Sequence, residues 1–267
     1  MTQELIIEDF LKELETSKNI PKCISDFSQK IDLLEFINSK LNILIEKPFY
    51  FPSKSNFNNF FIGDNTKFSV SISYFMPTNK NNKSIQSLES DTYIVPLQKN
   101  SFAFRVYEQI QTNPSILNKE LKLKLSIDKE YNSEECIIIK QFRNILELDN
   151  IDPLIALVIR SKETGDYIWQ YNSLTLLPEK IIASNPIVSR LITTIKILGE
   201  IGNQKSFEII EELCFSEFHP VRWEAINALI NFDYEKGVSH LIRMTEDLHP
   251  EINNAAKKSL LKLNIKY

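Results

Sequence analysis

Apolar residues recur every three to four positions through residues 3–46, a spacing that predicts helix. Leu5, Ile6, Phe10, Leu11 and Leu14 line one side of the first stretch, and Glu4, Glu8, Lys12 and Glu13 the other. Pro21 suits the first turn of a second helix, where its missing N–H leaves no bond unmade. Ile31, Leu34, Ile37, Leu41 and Leu44 then form an apolar stripe that ends before Pro48. So wide a stripe is expected to face the protein's own core, with a partner-binding amphipathic helix as the alternative.

The period then changes. Residues 49–65 are aromatic, rich in Asn and irregular, and read as a connection. From Lys67 onward the pattern is β. Phe68, Val70, Ile72, Tyr74 and Met76 alternate with Ser69, Ser71 and Ser73, which predicts a half-buried strand with its serines outward. Further short runs follow at Tyr93–Leu97, Phe102–Gln109, Leu117–Ile127, Cys136–Lys140, Ile145–Leu148, Leu154–Arg160 and Tyr167–Leu174. Turn-forming groups such as Asn113-Pro114 and Thr164-Gly165-Asp166 separate them. About eight strands at these spacings predict one antiparallel sandwich or barrel.

Helical spacing returns at Asn185, now with a repeat. HPVRWEAINALINF (219–232) aligns with HPEINNAAKKSLLKL (249–263), and SRLITTIKILGEIG (189–202) supplies an earlier copy. Ala225, Ala228, Ala255 and Ala256 stand where neighbouring helices would approach closely. The fold class expected is therefore α+β. Its parts are N-terminal helices (1–48) packed on a β-sandwich or jelly-roll barrel (49–178), and C-terminal helical repeats (185–267).

Pro220-Val221-Arg222 with Ala225, Ala228 and Leu229, and Leu198-Gly199-Glu200-Ile201-Gly202, resemble the short HEAT-type repeat of about 30 residues. The resemblance implies protein interaction, DNA-lesion binding or partnership with tetrapyrrole lyases. Residues 190–267 hold ten Lys and Arg against eleven Asp and Glu, so the positive excess that tracks phosphates is missing and no nucleic-acid partner is expected. No motif supports the lyase option. A protein partner is the expectation, with Arg222, Trp223 and Arg243 as the candidate contacts.

The middle segment resembles a cupin-type jelly roll. Leu125-Ser126-Ile127-Asp128 leading to Cys136-Ile137-Ile138-Ile139 is similar to that family's turn between barrel halves, and Phe142-Arg143-Asn144 with Asp152–Ile159 to its second motif. The resemblance implies a metal held by two or three His and a Glu. The chain has 3 His, namely His219, His240 and His249, and none precedes residue 219. A His-ligated metal is thus not expected in the β segment, and no cofactor is assigned. His219 and His249 occupy equivalent turn positions in adjacent repeats. Helices packed about 8–10 Å apart would hold them too far apart to share an ion, and His240 is expected to face solvent or cap.

Composition narrows the setting. The net charge is −4, three dispersed Cys form no CxxC, and no apolar run reaches the length of a membrane span. The start MTQELIIEDF lacks a basic leader. A cytoplasmic accessory protein of bacterial type, with no membrane partner, is expected. No catalytic constellation emerges. The leading reading is a non-catalytic interaction or scaffold protein. The alternative is a small-molecule-binding protein or enzyme that grips an anion through Arg105, Tyr107, Arg143, Arg160 and Trp169 on the β strands. A homodimer is the third.

Overall fold

The structure is a computed structural model that describes residues 2–46, 58–77, 84–97, 102–111, 116, 118–131, 135–149 and 152–265. Its contacts divide the chain into two compact units, Met1–Gln111 with Lys119–Lys180, and Thr112–Asn118 with Ile181–Tyr267.

The first unit opens with three helices, α1 (Gln3–Thr16), α2 (Ile20–Lys30) and α3 (Leu33–Glu46). Asn19 starts α2 by accepting from Lys22 N at 3.2 Å, with Pro21 in the first turn. Asp32 divides the second predicted helix in two, because its carboxylate accepts from Glu35 N at 2.9 Å and starts α3. Of the expected face of α1, Phe10 and Leu14 are buried, Ile6 and Leu11 are partly buried and Leu5 is 49% exposed, and Ile7 joins the buried side. Ile7, Phe10 and Leu14 pack with Ile24 and Phe27 of α2, and the Phe10 and Phe27 rings stack with centroids 3.8 Å apart. The stripe on α3 is not core: Leu34 is 69% and Leu41 44% exposed, and Phe36, between them, is the side chain that turns inward. Leu44's side chain lies outside the described residues.

Eleven strands follow among the described residues: β1 (Asn59–Asp64), β2 (Phe68–Phe75), β3 (Ser84–Gln86), β4 (Ser90–Pro96), β5 (Ala103–Glu108), β6 (Lys124–Glu130), β7 (Ile137–Ile139), β8 (Asn144–Asp149), β9 (Leu154–Thr164), β10 (Tyr167–Asn172) and β11 (Pro178–Ala183). Three of these, β1, β3 and β11, correct the expected count. β1 lies inside the stretch read as irregular, and β3 is too short to show a period. The run 117–127 becomes a strand only from Lys124, and β6 is exposed throughout.

One sheet has the order β1-β2-β9-β4-β7; the others run β11-β10-β3 and β6-β5-β8. A bridge from Ser87 to Ile145 brings β3 beside β8. The eight strands from β2 to β9 thus pair β2 with β9, β3 with β8, β4 with β7 and β5 with β6, each pair nested within the last. A long antiparallel ribbon rolled into two layers has this order, so the unit is the jelly roll that the cupin-type resemblance implies.

Register fixes what each layer shows. Ser69, Arg160 and Thr92 lie side by side across β2, β9 and β4, and Ser71, Val158 and Ile94 form the next row. Directly paired residues share a face. This face looks into the roll, where Ile94, Ala156 and Val158 meet Phe104 and Val106 of the opposite layer. The other face carries Phe68, Val70, Tyr93, Leu157 and Ile159 and is covered by α1 and α2. The serines of β2 therefore point inward rather than to water: Ser71 and Ser73 are buried. Sequence alternation shows that two faces differ, but not which one is covered by a second element.

The second unit holds α4 (Pro186–Ile201), α5 (Gln204–Leu213), α6 (His219–Phe232), α7 (Tyr234–Arg243), a 3-10 turn at Met244–Glu246, and α8 (Pro250–Lys262). These are two helix pairs followed by one further helix of the repeat. Val221, Ala225 and Leu229 of α6 are buried, and Ile252, Ala256 and Leu260 of α8 are their counterparts. The buried set is thus displaced by one residue from the alignment of the two His-Pro dipeptides. Small residues serve close approach as expected. A methyl group added at Gly199 would meet Ala228 Cβ at 3.0 Å, and one at Gly237 would lie 2.6 Å from Ile230 N. The latter contact is with backbone, so α7 crosses α6 here only because residue 237 has no side chain. No described helix is long and apolar enough to cross a membrane.

Candidate functional site

Within the jelly roll lies a cavity of about 750 Å³. Its walls are mainly apolar, with Phe75, Leu88, Ile94, Leu148 and Val158, and Arg160 and Thr92 supply polar groups from the large sheet. Arg160 enters because it continues the inward register of Ala156 and Val158 on β9. Its Nη1 donates to Ser71 Oγ at 3.4 Å. Burial lowers its pKa, opposed by the charge of Glu89. Thr92 Oγ1 donates to Ser90 O at 3.0 Å.

The other anion-binding candidates divide between three places. Arg105 and Tyr107 meet at Glu147, where the Tyr107 hydroxyl donates to Oε2 at 2.7 Å and Arg105 Nη1 lies 3.4 Å from the same oxygen. Arg105 Nε also donates to Asp128 Oδ2 at 3.2 Å. The ion pair raises the Arg105 pKa, through Asp128 first, while burial and then Glu147 push the Tyr107 phenol up to about 12. Arg105 and Glu147 are register partners on the face opposite Phe104 and Leu148, so Arg105 is engaged by two carboxylates on the outward face. Glu147 itself also borders the cavity. Arg143 is exposed on the turn between β7 and β8. Trp169 is fully buried, stacked on Tyr171 at 6.1 Å and edge-on to Phe142, so it packs instead of lining the cavity. The cavity thus brings in Arg160 of the five, and adds Thr92 and Glu147, which sequence reasoning missed. Thr92 lies one residue before the run read as a strand from Tyr93, and the observed strand, Ser90–Pro96, includes it opposite Arg160.

In the helical unit, Arg222 is held internally. Its Nε and Nη2 donate to Asp247 Oδ2 at 2.9 Å and Oδ1 at 2.7 Å, and Nη1 donates to the carbonyls of Ser216 and Glu217 at 2.9 and 3.0 Å. It joins the loop before its own helix, α6, to the loop before α8. Asn253 of α8 makes a shorter version of this link through Thr245 O. Trp223 is half-buried against the core. Arg243 lies 3.7 Å over the Phe215 ring and donates to Cys214 O at 3.0 Å.

Beside the Arg222 pair, the His219 and His249 rings stack with centroids 3.7 Å apart and planes 13° from parallel. This corrects the expected separation. Axis spacing limits backbones, whereas both rings project into the same seam between successive loops. His240 is likewise not solvent-facing: its ring is mostly buried, 3.4 Å from Glu211 Oε1 and edge-on to Phe215. Among the described residues no three His, Cys, Asp or Glu side chains converge as a metal site.

Burial first, then His249 and Arg222, lower the His219 pKa to about 4, against Asp247. An unfolded chain, with an ordinary imidazole near 6.5, takes up this proton first. The stabilisation is complete above about pH 6.5 and drains away as the pH falls toward 4. For a half-buried ring we expect a loss of about 1–2 kcal/mol. Urea unfolding at pH 7 and pH 5 checks this, and His219→Gln should flatten the difference; an unchanged slope in the variant would assign it elsewhere.

Residues 180–261 match the family model of HEAT repeats. No curated protein matches the chain. Solved structures similar to it include hydroquinone 1,2-dioxygenase from Sphingomonas sp. TTNP3 with 4-hydroxybenzoate bound, at 7% identity over 42% of this chain and 70% of that one, with a TM-score of 0.29. Others are a conserved protein with a double-stranded β-helix domain from Klebsiella pneumoniae (10% identity, 47% and 89% covered, TM-score 0.27) and a cupin domain from Bordetella pertussis (12% identity, 39% and 92% covered, TM-score 0.26). At these scores the likenesses carry no argument, and the jelly roll rests on its strand order.

Proposed function

We propose that the chain is a non-catalytic interaction protein whose HEAT-like helices dock a protein partner while the jelly roll serves as a companion body. The observation that carries this reading is the HEAT-repeat match over 180–261, on a unit with its own buried core and large apolar side chains left in water. Phe215 is 65% exposed and Leu248 fully exposed, both on the loops that precede repeat helices. Such side chains on loops held rigidly by Arg222 suit partner contact.

The test is affinity capture from the source cell with the full chain as bait, beside a Phe215→Glu/Leu248→Glu bait. A stoichiometric protein retained by the first and lost by the second supports the reading. Identical captures, or none, would sink it. A second reading, a small-molecule-binding protein, draws support from the cavity and its inward Arg160.

A further inference from the structure

At one end of the large sheet's inner face Ser69, Ser71, Thr92 and Arg160 are neighbours across three strands. An arginine carries five N–H donors, and a guanidinium held away from water is costly unless those donors are met. Within the roll it has Ser71 Oγ, at the long distance of 3.4 Å. Its planar fork matches a carboxylate through two parallel bonds. Phe75, Leu88, Ile94, Leu148 and Val158 give the wall an apolar surface for whatever is attached to that carboxylate, and Asn58, Ser84 and Gln86 complete the lining with polar groups. The volume, about 750 Å³, lies within the range of about 300–1,000 Å³ that holds small ligands.

From this juxtaposition we infer that the cavity binds a monocarboxylate with an apolar body, its head on Arg160 and Ser71 and its body along Phe75, Ile94 and Val158. Neutral molecules of the same shape lose the guanidinium contact. The inference rests on the second reading above, that the jelly roll takes a small molecule, and specifies which kind.

Titration calorimetry on the full chain tests it with sodium octanoate and 1-octanol, which share a body and differ in charge. Octanoate should bind at one site, and octanol about tenfold or more weakly. Arg160→Met keeps an apolar filler in place of the charge. It should weaken octanoate by about tenfold and leave octanol unchanged. Equal affinity for the two probes in the unmodified chain overturns the carboxylate assignment while leaving an apolar small-molecule site intact. That comparison does not depend on the variant folding. Undiminished octanoate binding by a folded Arg160→Met also overturns it. If neither probe binds, the small-molecule reading falls as well.

Discussion

Trp169→Ala should cost the jelly-roll unit about 3–5 kcal/mol, the range for removing a large aromatic from a packed interior. Trp169 is fully buried between Tyr171 and Phe142, and its backbone N donates to Ser87 Oγ at 2.9 Å. Tyr171 beside the indole is itself fully buried, so the void opens inside the packed interior. Urea denaturation followed by far-ultraviolet circular dichroism measures the loss. The result also separates packing from recognition. Trp169 was an attractive ligand contact on sequence grounds, yet octanoate binding per folded molecule should be unaffected by its removal. A destabilisation below about 1 kcal/mol together with lost binding would reverse that assignment.

Arg222→Ala is expected to cost the helical unit about 3 kcal/mol. The pair is largely withdrawn from water, with side-chain exposures of 16% for Arg222 and 6% for Asp247. Removing the guanidinium strands the Asp247 carboxylate and frees two loop carbonyls at once. Asp247→Ala should be comparably damaging, because it strands the guanidinium instead. Arg222→Lys should recover only part of the loss, since a single ammonium cannot span both carboxylate oxygens and the Ser216 and Glu217 carbonyls. The chain's two tryptophans fall one in each unit, Trp169 and Trp223. In a Trp169→Phe background, fluorescence therefore follows the helical unit alone, and a midpoint unmoved by Arg222→Ala would show the clasp to be dispensable.

Much of this architecture was legible in the sequence, because it is written in periodicity. The HP dipeptides, the alanines of α6 and α8 and the switch from period two back to helical spacing located the repeats without help. The alternating run of β2 and the continuous apolar run of β9 were legible as strands. What escaped notice depends on neighbours distant in the chain. β3 spans three residues and acquires its identity only by lying between β10 and β8. The serines of β2 looked like a wet face because nothing local says that a second layer covers them. Arg160 was legible as an arginine among inward apolar residues, whereas Arg105 and Trp169, equally attractive on their strands, were claimed by carboxylates on one side and by aromatic packing on the other. The stacked histidines were missed because helix spacing was taken as a guide to where ring atoms could reach.

The nested strand order has a kinetic consequence. β5 and β6 are close in the chain, whereas β2 and β9 lie near opposite ends of the jelly-roll sequence, with Phe68 opposite Ser161. Closing the innermost hairpin requires the shortest loop, and each later pair gains from the one before it, so registration should spread from β5–β6 outward. Such a high contact order belongs to chains that fold in about milliseconds to seconds rather than microseconds. The surface on which α1 and α2 rest, with Phe68 and Val70 beside Leu157 and Ile159, comes into being only when the outermost pair has joined. The helices are first in the chain and can form early, but they must wait for the last step of the roll before they have anything to cover. In that interval the same apolar strip is open to a second nascent copy, so high concentration during refolding should favour aggregation through β2 and β9.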